Sequence, residues 1–176
     1  SGLFLSGTRA PGCAVTCVME GTRPMLVEIQ ALISPSAFSN PRRMAAGLDG
    51  NRLILLLAVL EKKAFLSLAN QDVYANVVGG IRLEERASDL AEAMCIASAL
   101  LEVTLPSAMA YIGEVALTGE IRPVSRLDKR ISECARLGYT HLIVPKSEKL
   151  PRIDGVELTP VSTLADAVRL LTGTGK

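Results

Sequence analysis

Asp72 to Leu101 reads DVYANVVGGIRLEERASDLAEAMCIASALL, and its two halves keep different periods. Asp72 to Val78 is rich in β-formers: Val73, Tyr74, Val77 and Val78. Residues of this kind suit a pleated, half-buried surface. Gly79-Gly80 ends the strand, because glycine takes positive φ at little cost. From about Ala87, Leu90, Met94, Ala97 and Leu101 recur at helical spacing. A strand that breaks at glycine and becomes a helix is a common seat of chemistry, since the helix N-terminus offers free N–H groups and a positive dipole end. Ser88 is expected to cap this helix and Asp89 to favour its dipole.

Working outward, the chain shows the same mixture of periods. Cys13–Met19 and Met25–Ile33 are predicted strands, with a turn at Glu20–Pro24, and together form a hairpin. Ser34–Pro41 reads as a loop, and Arg42 and Arg43 follow it as exposed cations. A helix is expected over about 52–64, capped by Asp49 or Asn51, with Lys62 and Lys63 at its favourable end. Ala108–Leu117 reads as one strand. A turn at Thr118–Glu120 follows, then a helix over about 127–137 closed by Gly138. His141–Val144 and Val156–Thr159 are short strands, and Thr163–Leu171 is the last helix. Leu3–Leu5 opens the chain as a short apolar stretch, and Thr172–Lys176 is expected to fray. The order β-β-α-β-α-β-α-β-β-α predicts an α+β (α/β-like) fold, a mixed sheet with packed helices, in a single domain over residues 1–176.

Composition bounds the function. The chain has 176 residues, 49% hydrophobic and 21% charged, so it is globular rather than disordered. A net charge of +1 leaves any nucleic-acid contact to a local patch. No apolar run reaches the roughly 18 residues of a membrane span, and no signal peptide is visible, so the expected location is cytoplasmic with no membrane partner. Four cysteines and one histidine do not make a zinc set; free, buried thiols are expected. Gly7–Gly12 has the glycine spacing of a phosphate loop, but Cys13 stands where the lysine belongs, so no nucleotide site is read there.

Two segments carry a resemblance. Gly119–Arg130 (GEIRPVSRLDKR) with Gly138–Pro145 (GYTHLIVP), and Glu84–Ala91 at the helix start, resemble the Lon-type protease domain, whose fold is like domain 2 of ribosomal protein S5. That family uses a Ser/Lys dyad. The resemblance puts Ala87 at the serine position and Asp128 at the lysine position, with Ser88 and Lys129 each one residue late. A one-residue step along a helix turns a side chain by about 100°, so a shifted pair does not rebuild the dyad. No catalytic residue is therefore expected.

Longer stretches narrow the resemblance further. Glu20–Pro24, Val27–Leu32, Asn40–Arg43, Asn70–Tyr74, Asn76–Gly80 and Gly113–Val124 resemble the C-terminal domain of the RadA (Sms) family of bacterial DNA-repair ATPases. The resemblance implies a non-catalytic domain that assembles into a six-membered ring and helps hold DNA during branch migration. It also implies a zinc finger and ATPase core in a preceding part not contained here. No cofactor is then expected in this chain, and ATP, Mg and Zn belong to that missing part. Arg23, Arg42, Arg43, Arg82 and Arg122, all in or beside predicted turns, are the candidate DNA contacts and are expected to converge on one face. Arg126, Lys129, Arg130 and Arg136 read as the solvated side of one helix. Two other readings stand beside this one. One is a residual Ser/Lys peptidase; the other is a module that recruits a recombinase or a replication partner.

Overall fold

The computed structural model describes residues 4–37 and 39–173, so Leu3 and residues 174–176 of the end expected to fray lie outside it, while Thr172 of that end closes the last helix. The described chain is mixed α and β. Strands β1 (Cys13–Glu20), β2 (Arg23–Pro35) and β3 (Arg43–Ala46) precede helix α1 (Gly50–Lys63) and β4 (Gln71–Val77). Helix α2 (Asp89–Leu101) is followed by β5 (Met109–Tyr111), β6 (Glu114–Val115) and β7 (Ile121–Arg122). Then come α3 (Leu127–Arg136), β8 (His141–Pro145), β9 (Glu157–Val161) and α4 (Leu164–Thr172).

The main sheet has the order β1-β2-β4-β3. β2 runs antiparallel to both β1 and β4, and β3 lies parallel to β4. A second sheet, β5-β8-β9, is parallel, and β6-β7 is a two-stranded ribbon. Alternation along the strands builds two cores from one sheet. Ala14, Val18, Val27, Ile29, Val73, Ala75 and Val77 face the core shared with α1, α2 and α4. Val15, Cys17 and Leu26 point the other way, onto Ile131 and Cys134 of α3 and Leu142 and Val144 of β8. The second face is covered only at its β1 end. Leu32 and Met44 remain exposed on the other half, flanking Tyr74.

Helix α2 is the spine between these layers: every residue from Asp89 to Ser98 is buried. Its preceding break matches the sequence, with Gly79 at φ 84° and Gly80 at φ 73°. Its N-terminus does not. Ser88 occupies the capping position in αR geometry and makes no capping bond. Its hydroxyl donates back to the Glu85 carbonyl at 3.1 Å. The free N–H of Leu90 is taken instead by the Gly113 carbonyl at 3.0 Å. That contact also explains why the predicted strand over Ala108–Leu117 is split. The chain bends at Gly113 to meet α2, and a Cβ there would lie 2.8 Å from Ile121 Cγ2.

Other boundaries moved too. The hairpin turn shrinks to Gly21-Thr22, because Glu20 already pairs with Arg23. Residues 43–46, where no strand was expected, form β3, and Ile121–Arg122 forms β7. Asp49 caps α1 and Thr163 caps α4, both through side-chain oxygens. Gly138 follows α3 at φ 90°, and Tyr139 N–H closes that end on the Cys134 carbonyl at 2.8 Å. The Gly7–Gly12 loop is structural: Gly12 N–H donates to Ser98 Oγ, and the Gly12 carbonyl accepts from Ala31. A Cβ on Gly12 would stand 2.3 Å from the Ala31 oxygen, at φ 90°. Gly12→Ala is therefore expected to lower stability by about 2 kcal/mol or more, seen as a lower urea midpoint at unchanged slope.

Candidate functional site

The two positions matched to a serine and a lysine lie on different elements. Ala87 is buried in the 3-10 turn before α2, and its carbonyl accepts from Gly113 N–H at 3.0 Å. Ser88 beside it is buried, its hydroxyl spent on Glu85. Asp128 and Lys129 are exposed in the first turn of α3. Both line a shallow groove of about 290 Å³ with Pro24, Ser132, Glu133 and Arg136, and neither Ala87 nor Ser88 reaches it. No hydrogen bond joins Ser88 to Lys129 among the described residues.

Two arginines, Arg52 half-buried and Arg130 buried, hold the elements around these positions. Arg52 of α1 grips Asp89 with two donors, Nε at 3.0 Å and Nη2, while Nη2 also donates to the Val115 carbonyl at 2.6 Å. Asp89 in turn accepts from Val115 N–H at 3.0 Å. Burial pushes the Asp89 carboxyl up, and the Arg52 fork and the amide pull it back down. This cluster joins α1, α2 and β6. Arg130 does the same elsewhere. It was expected on the solvated side of α3, yet it is 1% exposed. Its Nη1 meets Glu85 and the Cys17 carbonyl (3.0 Å), Nη2 meets Glu85 at 3.2 Å, and Nε meets the Ser125 carbonyl at 2.9 Å. Glu85 also accepts from Met19 N–H at 3.0 Å. Arg130 therefore ties α3 to β1 and to the segment leading into α2. The sequence carried no signal for it, because a charged residue on an amphipathic helix reads as solvent-facing.

A third group is charged and open. Arg126 precedes α3 in a left-handed conformation, φ 55°, and donates to the Gly21 carbonyl of the hairpin turn at 3.1 Å. A non-glycine residue at positive φ is uncommon, and here it aims the guanidinium at the hairpin. Arg23, the first residue of β2, lies close enough to act on Glu133, whose carboxyl is held below its usual range first by Arg136 and also by Arg23. Arg136 is paired with Glu133, whereas Arg23, Arg126 and Lys129 have no ion-pair partner among the described residues. Arg122, exposed on β7, is four residues from Arg126 and so within about 14 Å of it.

Arg42 and Arg43 sit at the other end of the sheet. Arg43 pairs with Val73, and Val73 pairs with Ile33. Ile33 is ten residues along β2 from Arg23, roughly 33 Å at strand rise. The five arginines therefore do not converge on one face. Arg43 is also not a free cation: it is half-buried in β3, with its guanidinium on the Gln71 carbonyl and on the Leu68 carbonyl at 2.9 Å. Arg42 is exposed, and its backbone N–H is held by Asp72 at 2.7 Å. Arg82 is exposed in a loose pair with Glu84 at 3.5 Å. One cysteine also departs from expectation, since Cys13 is only half-buried, while Cys17, Cys95 and Cys134 are buried. Among the described residues no group of three or more His, Cys, Asp or Glu side chains is placed to hold a metal ion. No helix there is long and apolar enough to cross a membrane.

Comparison with known proteins places this arrangement. Residues 58–148, from the second half of α1 past β8, match the family model described as subunit ChlI of Mg-chelatase. The DNA repair protein RadA of Bacillus subtilis (strain 168) is 49% identical over 164 residues, covering 92% of this chain and 36% of that protein. RadA of Halalkalibacterium halodurans is 49% identical over 166 residues, and RadA of Listeria monocytogenes is 45% identical over 164. The chain thus spans about a third of the length of the curated relatives it matches. By the family model that covers more than half of its residues, the chain belongs to the family of subunit ChlI of Mg-chelatase, and over nearly all its length it is homologous to part of the DNA repair protein RadA.

Proposed function

We propose that this chain is the non-catalytic, Lon-protease-like domain of a RadA-type DNA repair and recombination ATPase. It acts as one domain over residues 1–176, as a subunit of a hexameric ring, and helps hold DNA during branch migration. ATP, Mg and Zn belong to the part of the protein that this chain does not contain. The observation that carries the reading is the face formed by the hairpin turn and α3. There Arg23, Arg126 and Lys129 stand exposed with no ion-pair partner among the described residues. Phosphates attract such cations, and the charge of the chain as a whole, at +1, would not. Loss of protease chemistry is supported by Ala87, which has no nucleophile, and by the commitment of the Ser88 hydroxyl to Glu85.

The test is fluorescence anisotropy of a labelled oligonucleotide titrated with the protein at several salt concentrations. Three neutralised phosphates predict a loss of affinity of roughly 20-fold for a single strand to 40-fold for a duplex between 50 and 200 mM salt. Absence of binding at low salt, or binding indifferent to salt, contradicts the DNA role. Incubation with an unfolded protein substrate should leave it uncleaved; cleavage that Ser88→Ala abolishes would restore the peptidase reading.

A further inference from the structure

β2 carries a buried carboxylate that no cation answers. Glu28 is 3% exposed. Its Oε1 accepts from Ser6 N–H at 2.9 Å, and its Oε2 accepts from Ser6 Oγ and Gln30 Nε2, both at 2.7 Å. All of these donors are neutral, and Glu28 has no ion-pair partner among the described residues. Buried charges are normally paired, as Asp89 is with Arg52. Oε1, with a single donor, keeps room for another.

Glu28 lines an open cavity of about 210 Å³ between residues 7–10 and residues 104–109. The one other charged residue in its lining is Arg9, which is exposed and also has no ion-pair partner among the described residues. Arg9 is three residues from Ser6, so their Cα atoms lie within about 11 Å. Burial first, and then the Glu28 charge, push the Cys13 thiol and the Tyr139 hydroxyl up, so both stay neutral in the same lining. Ala14, Val15, Leu105 and Met109 give the cavity apolar walls. Ala108 in that lining is left-handed, at φ 58°, and its carbonyl is held by the N–H groups of Thr140 and His141 at 3.1 and 3.2 Å. Strained backbone of this kind gathers at ligand sites.

We propose that this cavity binds a free α-amino acid with an aliphatic side chain, its ammonium on Glu28 and its carboxylate on Arg9. One small zwitterion answers both unpaired charges. The apolar walls receive the side chain, and no third charge in the lining calls for a basic or acidic one. The size fits, since a cavity of about 150 Å³ suffices for benzene. The proposal stands independently of the DNA reading.

Calorimetric titration of the full chain with L-leucine, L-leucinamide and isocaproate separates the two charges. L-leucine should bind saturably, and each singly charged analogue roughly tenfold more weakly. Arg9→Ala, a change at an exposed loop position, should weaken L-leucine by roughly tenfold and leave L-leucinamide unchanged. Glu28→Gln should weaken L-leucine and L-leucinamide but not isocaproate. No saturable binding of L-leucine up to about 10 mM overturns the proposal. So does L-leucinamide binding as tightly as L-leucine, or L-leucine affinity unmoved by Arg9→Ala.

Discussion

Replacing Arg130 by methionine is expected to lower the unfolding free energy by about 3–5 kcal/mol. The methionine fills much of the volume but removes four donor contacts at once. The carbonyls of Cys17 and Ser125 are left without their donor, and Glu85 keeps only Met19 N–H. Each buried acceptor left unpaired costs on the order of 1–3 kcal/mol. Glu85 is 30% exposed and can regain water, which holds the total below the sum of the parts. Arg130→Lys keeps the charge but not the fork, since one ammonium cannot reach Glu85, Cys17 and Ser125 together, so it should recover less than half of the loss. Urea unfolding of the three proteins measures this. A loss under about 1 kcal/mol for the methionine variant would mean that α3 does not depend on this anchor.

The second large effect is set by pH. Glu92 is buried in the first turn of α2, and its Oε2 has no partner among the described residues. Burial, then the charge of Asp89, push its carboxyl up to about 8, with Arg52 opposing and Asp49 adding to the rise. An unfolded Glu titrates near 4.3. Between those values the native state holds a proton that the unfolded state has lost. Stability therefore falls as pH rises through this window, is complete below about 4.3, and levels off above about 8. The full shift corresponds to a loss on the order of 5 kcal/mol. Glu92→Gln removes the titration and keeps the shape. It should match the parent near pH 5 and exceed it by several kcal/mol at pH 8.5. Other groups titrate in both proteins, so the difference between the two pH profiles isolates Glu92. Parallel profiles would show that Glu92 is hydrated in solution.

How much of this was legible varied with how local the signal was. The α2 spine was readable because Leu90, Met94, Ala97 and Leu101 repeat at helical spacing and Gly79-Gly80 punctuates the strand before it. β3 was not, since Arg43-Met-Ala-Ala46 has little β character of its own. It becomes a strand through parallel pairing with β4, a tertiary effect that overrides propensity. Arg130 was misread for the same reason: its partners Glu85 and Cys17 are 45 and 113 residues away. The Ser88 cap failed because the helix end found a better acceptor in Gly113. The candidate DNA face was half legible. Turn positions marked Arg23 and Arg122 as exposed, but only strand register could show that Arg42 and Arg43 lie at the far end of β2.

In the proposed function, DNA contact falls to the face of the hairpin turn and α3. Charge reversal on opposite ends of the sheet tests it most directly. Oligonucleotide affinity would be measured for the parent, for Arg126→Glu with Lys129→Glu, and for Arg42→Glu. The first variant should bind roughly tenfold or more weakly with a flatter salt dependence, and the second should change affinity less than about threefold. Equal losses in both variants, or a greater loss at Arg42, would contradict this reading.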